Sequence, residues 1–182
     1  MSKLSEALKS SRFVITSEVG PPKGTNIGPC LDEAKHFGEK VTAINVTDIQ
    51  SAVMRIGSLA TCIKLKELGY EPIMQMVCRD RNRLSLQSEF LNAAVFGIAN
   101  ILCLTGDHQT FGNHPQSKNV HDMDSLQLVQ MVVGLRDKNC FQCGEEIKGV
   151  NPRFFVGAAE NPFGDPFEFR PLRLGKKAKA GA

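Results

Sequence analysis

The feature that most constrains this chain is a regular alternation. Short apolar runs, often β-branched, are followed five times over by segments with helical spacing. Apolar runs bounded by turn residues read as buried strands, and apolar positions three and four apart read as helices. Strands are expected at residues 13–19, 41–46, 72–77, 100–104 and 154–158. Helices are expected at 30–37, 52–68 (on the spacing of Ile56, Leu59, Ile63 and Leu68), 84–96, 125–136 and 171–180. Gly69 and Gly97 follow two of these helices, where a glycine ends a helix in the left-handed conformation. Before the first strand, Leu4, Ala7 and Leu8 share one face of a short amphipathic helix.

Strand and helix in strict alternation imply a parallel sheet, because parallel neighbours need a crossover between them. Two architectures compete: the open doubly wound sheet and the closed barrel. No GxGxxG follows the first strand, which counts against the dinucleotide-binding form of the open sheet. The expectation is therefore an α/β fold of the TIM-type βα-barrel kind. Residues 1–182 would form a single domain holding about the first five of the eight units that such a barrel has.

Composition removes several classes of function. Apolar residues make up 42% and charged residues 23%, which excludes wholesale disorder and collagen-like architecture. The net charge of +3 is too balanced to argue for nucleic acid, and with no Trp and one Tyr there is little for bases to stack on. No apolar run approaches the ~20 residues that a bilayer span needs. The start has no signal-peptide core, so a cytoplasmic location is expected. Cys30, Cys62, Cys78 and Cys103 lie among apolar residues and read as buried, reduced thiols. Cys140 and Cys143 form one CxxC, and zinc would need two further ligands at metal spacing, so no metal is expected.

In a barrel, chemistry sits at the C-terminal ends of the strands. The first strand ends in Ser17-Glu18-Val19-Gly20-Pro21-Pro22-Lys23-Gly24. A Glu in an apolar strand is costly unless it is paired or used. It reads either as a rim carboxylate bonded nearby or as a general acid whose acidity is weakened by burial. The second strand ends in Asn45-Val46-Thr47-Asp48, which also suits a polar cap on the next helix. The third ends in Gln75-Met76-Val77-Cys78-Arg79-Asp80 and the fourth in Leu104-Thr105-Gly106-Asp107-His108. Gly106 permits close backbone approach to a ligand, and Asp107 is placed to accept a hydrogen bond from it. The fifth unit runs Gly157-Ala158-Ala159-Glu160-Asn161-Pro162-Phe163, and its helix carries Arg170, Arg173, Lys176 and Lys177. Arg170, Arg173 and Lys177 are spaced to share a face, which is either a solvated basic face or a clamp for a phosphate-bearing cofactor.

Together these motifs resemble the methylenetetrahydrofolate reductases. EVGPPKG is similar to that family's Glu-x-x-Pro-Pro motif on the first strand, NVTD to its second-strand Thr motif, and CLTGD to its fourth-strand Gly-Asp motif. HDMDS, FQCGEEI and FFVGAAENPF resemble the branch found in many anaerobic bacteria and archaea. The resemblance covers the whole chain, with the motifs in order at the strand ends. It implies flavin-dependent reduction of 5,10-methylenetetrahydrofolate to 5-methyltetrahydrofolate in one-carbon metabolism. The cofactor implied is FAD, with FMN as the alternative. NAD(P)H or an electron-transfer partner subunit would supply electrons, in an oligomer or heteromeric complex.

By the same resemblance, Glu18 is the general acid of the folate chemistry, and Asp107 lies between flavin and pterin, where both residues also bind substrate. Thr47, Asp48, Gln75, Thr105, Gly106, His121, Asp122 and Ala159 line the cofactor. Arg170, Arg173, Lys176 and Lys177 hold its phosphate end. The chain departs from the pattern of another branch at Gln75, which has His there, at Thr105, which has Arg, and at Asp48, which has an aromatic residue. The family pattern continues past Ala182 into a sixth strand, and five strands alone would leave two open edges. Two other readings fit the same barrel: a non-catalytic subunit or remnant, and a flavin-free pterin-binding methyltransferase.

Overall fold

The computed structural model describes residues 2–182. Five strands, β1 (Thr16–Val19), β2 (Ala43–Val46), β3 (Pro72–Val77), β4 (Asn100–Leu104) and β5 (Phe155–Ala158), form one sheet in sequence order. Every pairing is parallel. The helices are α1 (Lys3–Lys9), α2 (Gly28–Phe37), α3 (Ser58–Glu67), α4 (Arg83–Val95), α5 (Ser125–Asp137) and α6 (Arg170–Lys179).

Alternation along each strand divides the sheet into two faces. Val19, Ile44, Val46, Met74, Met76, Ile101, Cys103 and Val156 point to one side, where they join Cys30 and Ala34 of α2, Cys62 and Leu65 of α3, Phe90 of α4 and Leu128 and Leu135 of α5 in the main core. The Phe90 and Phe154 rings meet there at 6.0 Å between centroids, tilted by 59°. Ala43, Ile73, Leu102 and Phe155 point to the other side. Among the described residues no helix from a crossover covers them; instead Leu4 of α1, with Val14, packs on them at the N-terminal end of the strands. Crossover helices on one face only, with strands in sequence order, are the wall of a βα barrel and not a doubly wound sheet, which carries helices on both faces. The second face is therefore the barrel interior.

Helix ends follow local chemistry. Asp124 caps α5 in a reciprocal capping box with Gln127, and the Asn82 side chain accepts from Ser85 N–H at the start of α4. Gly69 and Gly97 close α3 and α4 with positive φ. The Lys66 ammonium donates to the carbonyls of Phe96 and Gly97, tying the two helix ends together.

Three expectations are corrected. The helix expected from residue 52 begins at Ser58, because the backbone before it is engaged elsewhere: Ile56 N–H donates to Pro22 O and Met54 N–H to the Asn113 side chain. Ile56 thus lies in a loop, and the buried face of α3 is Ser58, Thr61, Cys62 and Leu65. The first strand starts at Thr16 rather than residue 13, and Phe13 is exposed. On α1, Leu4 is buried while Leu8 is about half exposed. β1 and β5 each have a single strand neighbour among the described residues.

Candidate active site

The interior face changes character along the strands. Beyond Thr16 and Ala43 come Glu18 and Asn45, and beyond Ile73 and Phe155 come Gln75 and Gly157. Glu18 is level with Asn45 and Asn45 with Ile73, so Gln75 stands one interior position further along β3. Its amide Nε2 donates to Glu18 Oε2 at 3.0 Å. Glu18 is exposed on this open face, so the burial expected of it is not present among the described residues. What holds its carboxylate is a hydrogen bond from a buried Gln75.

At the end of β2, Thr47 N–H donates to Val19 O, and its hydroxyl is buried without a hydrogen-bond partner among the described residues. Asp48 does not cap the following helix. It is enclosed, accepting from Val77 N–H at 3.0 Å and from both terminal nitrogens of Arg81 at 2.7 and 3.2 Å. With 1% of its side chain exposed, Asp48 has no oxygen open to a ligand. Its place is that of a brace between the ends of β2 and β3.

A second brace went unseen in the sequence. Arg79 is the largest fully buried side chain among the described residues. Its guanidinium donates to the Ile49 carbonyl at 3.1 Å, the Asp107 carbonyl at 3.0 Å and the Asp80 carboxylate at 2.6 and 2.8 Å. Its own backbone bonds Thr105 O and Val120 N–H. One residue thus ties the loops after β2, β3 and β4. It holds Ile49 at φ 47°, a conformation rare for a β-branched residue. An arginine directly after an apolar strand was the available signal.

Gly106 sits beneath this knot at φ +92°, and a Cβ there would come within 3.1 Å of Val77 Cβ and 3.2 Å of Arg79 Cβ. Both conformation and space require glycine. Beside it, Thr105 and Asp107 are exposed. The Thr105 hydroxyl accepts weakly from Ser125 N–H at 3.3 Å, linking β4 to the start of α5. His121 is exposed at φ 41°. Asp122 is bound to Arg83 through side chain and backbone at 2.8 to 2.9 Å, which holds its carboxyl down at about 2.

At the end of β5, Ala159 is exposed and Glu160 turns inward. Three cations of α6 face it. Lys177 Nζ lies 2.8 Å from Glu160 Oε2, Arg173 Nε 3.7 Å from the same oxygen, and Arg170 Nη1 3.5 Å from Oε1. The basic residues therefore form neither a wholly solvated face nor a vacant clamp. Lys176 is exposed. Bonded by Lys177, Glu160 has its carboxyl held below the ordinary range. The sequence showed the spacing of the cations but not their partner.

The CxxC lies away from these strand ends. Cys140 pairs with Glu146 in a small hairpin, which Gln142 N–H fastens to the Gln87 side chain of α4. Among the described residues, no three His, Cys, Asp or Glu side chains are grouped to hold a metal ion. A hollow of about 790 Å³ lies nearby on the outer side, lined by Leu91, Ile98, Phe141 and Ile147.

A one-sided βα-barrel wall with polar groups gathered at the C-terminal strand ends is the arrangement of a barrel enzyme. The chain belongs to the methylenetetrahydrofolate reductase family, whose model, described as Methylenetetrahydrofolate reductase, matches residues 3–182. Membership places it among the oxidoreductases of folate metabolism. No curated protein matches it. No helix among the described residues is long and apolar enough to cross a membrane.

Proposed function

We propose that the protein is a flavin-dependent oxidoreductase that reduces 5,10-methylenetetrahydrofolate to 5-methyltetrahydrofolate. The observation that carries this reading is the Gln75–Glu18 hydrogen bond on the open interior face, which aims a carboxyl group where a flat substrate could lie. Family membership supports the folate chemistry.

The residues present suit a flavin. Gly157 leaves the interior face of β5 without a side chain, and Gly106 brings backbone close to the strand ends. The unpartnered Thr47 hydroxyl lies among these ends, and α6 offers three cations against one carboxylate. Thr47, Thr105, Gly106, Asp107, His121 and Ala159 would line the ring system, with Arg170, Arg173, Lys176 and Lys177 toward the phosphate. Asp48 and Asp122, engaged by Arg81 and Arg83, shape the wall instead of offering free oxygens. FAD is the cofactor proposed, with FMN as the alternative.

When bound, the flavin supplies the hydride. Glu18 gives a proton to the folate nitrogen released as the one-carbon ring opens, and Gln75 keeps its carboxyl turned to that face. Asp107, on a loop fixed by Arg79, places negative charge beside the reacting rings. NAD(P)H or a partner subunit supplies electrons, and the cytoplasm is the compartment that suits the substrates. The test is direct. Full-length protein, purified and supplied with FAD and FMN, should show a visible flavin band and release flavin on denaturation. A folded preparation that binds neither overturns the reading.

A further inference from the structure

We propose that Glu160 is a built-in counter-anion, which occupies the cationic cradle of α6 until the phosphate of a ligand displaces it. The inference rests on the flavin reading for the identity of that ligand.

The contacts are unequal. Only Lys177, at 2.8 Å, reaches Glu160 within the range of a strong charge-assisted bond; Arg170 at 3.5 Å and Arg173 at 3.7 Å do not. One negative charge against three positive leaves an excess of two. A phosphate brings more acceptor oxygens and more charge to the same spot. Arg173, with 55% of its side chain exposed, stands ready to meet it.

The cradle does not depend on Glu160 for its shape. Lys177 also donates to the Ala159 carbonyl. Arg170 also donates to the carbonyls of Gly164, at 2.8 Å, and Asp165. Gly164 admits that guanidinium because it lacks a side chain; a Cβ would meet it at 3.0 Å. These backbone bonds keep two of the cations in place when the carboxylate leaves. Glu160 also accepts from Asn161 N–H at 3.2 Å, and because Asn161 is exposed, water can take over that bond when the carboxylate leaves. A residue that organised the cradle would show the opposite pattern, with the cations held through it alone.

The experiment compares the full-length protein with its Glu160→Gln and Glu160→Asp variants by titration calorimetry. The ligands are FAD, FMN, riboflavin and inorganic pyrophosphate, and a thermal melt of each apo protein accompanies the titrations. Glu160→Gln should lower the apo melting temperature yet tighten FAD or FMN by roughly tenfold, the scale of one partly buried charge pair. Riboflavin, which lacks phosphate, should bind all three proteins alike. Glu160→Asp, too short to keep the Lys177 bond, should tighten the same ligands to a smaller degree, and it decides the matter if Glu160→Gln does not fold. Unchanged or weaker phosphate-ligand binding in the folded variants overturns the proposal. If neither flavin binds but the variants tighten pyrophosphate, the counter-anion stands and the flavin reading falls. If no protein binds any of the four, both fall.

Discussion

The amide of Gln75 reaches across β2 to donate to the Glu18 carboxylate at 3.0 Å. This couples two residues 57 positions apart in the chain, and each has a distinct expected effect. Glu18→Gln in the full-length protein should leave flavin reduction by the electron donor intact and slow methylene reduction by roughly 10²–10⁴-fold, since the amide cannot donate an acidic proton. Gln75→Leu removes only the orienting bond and should cost roughly tenfold in the same half-reaction, with the donor half-reaction untouched. Stopped-flow measurement of the two half-reactions separates them, and folate turnover unchanged in Glu18→Gln would assign Glu18 to structure.

Asp48 is a brace, so its loss should register in stability before ligand binding. Asp48→Ala strips a nearly enclosed Arg81 of its partner and leaves Val77 N–H without an acceptor. Breaking one side of such a pair costs about 3–5 kcal/mol. Urea unfolding should show this loss, and the double variant Asp48→Ala/Arg81→Met should recover part of it. A variant that weakens flavin binding with an unchanged urea midpoint would return Asp48 to the cofactor site.

Asp122 supplies an acid-sensitive fastening. Bonded by Arg83, its carboxyl is depressed to about 2 from the ordinary value of 3.8. A group depressed on folding stabilises the folded state above its unfolded pKa, and that contribution is lost as pH falls through the folded one. The Asp122 contribution should therefore be complete above about pH 4 and disappear toward pH 2. Melting temperatures of wild type and Asp122→Asn should differ at pH 6 and converge in that acid window. A difference independent of pH would remove Asp122 from the acid response.

The cysteines should divide sharply by reactivity. Burial pushes Cys62 and Cys78 up to about 12 and raises Cys30 and Cys103 as well, so all four are poor thiolates at neutral pH. Cys143 is exposed and Cys140 half-buried. Native protein treated with a thiol reagent should label Cys143 first, then Cys140, and the other four only after denaturation. Rapid native labelling of Cys62 or Cys103 would contradict the packing of the helix face.

β3 and β4 were legible to the residue, since their largely apolar runs have clear limits, while β2, expected from residue 41, begins at Ala43. Edge positions were less so. Residues 13–15 have strand composition but β1 has one neighbour, so its regular pairing starts only at Thr16. Residues 52–57 have helical spacing, yet bonds to Pro22 and Asn113 claim their backbone first. At the site, the residue types and strand-end positions could be read, and the pairings could not. Asp48 with Arg81 and Asp122 with Arg83 join residues 33 and 39 apart, and Glu160 meets its cations across a turn. A linear pattern marks a charge as present; only the folded chain decides whether another charge has already taken it.

The seating of Leu4 against Ala43 and Ile73 gives the interior face a direction. One end is stoppered by hydrocarbon, and the other is rimmed by Glu18, Gln75 and the loops that Arg79 knots together. A planar molecule entering from the rim would rest on an oily floor with its polar edge upward. Its orientation would be selected by wetting, before any single hydrogen bond forms. Replacing Leu4 with a charged residue would then disturb how guests lie in the cup although it touches none of them.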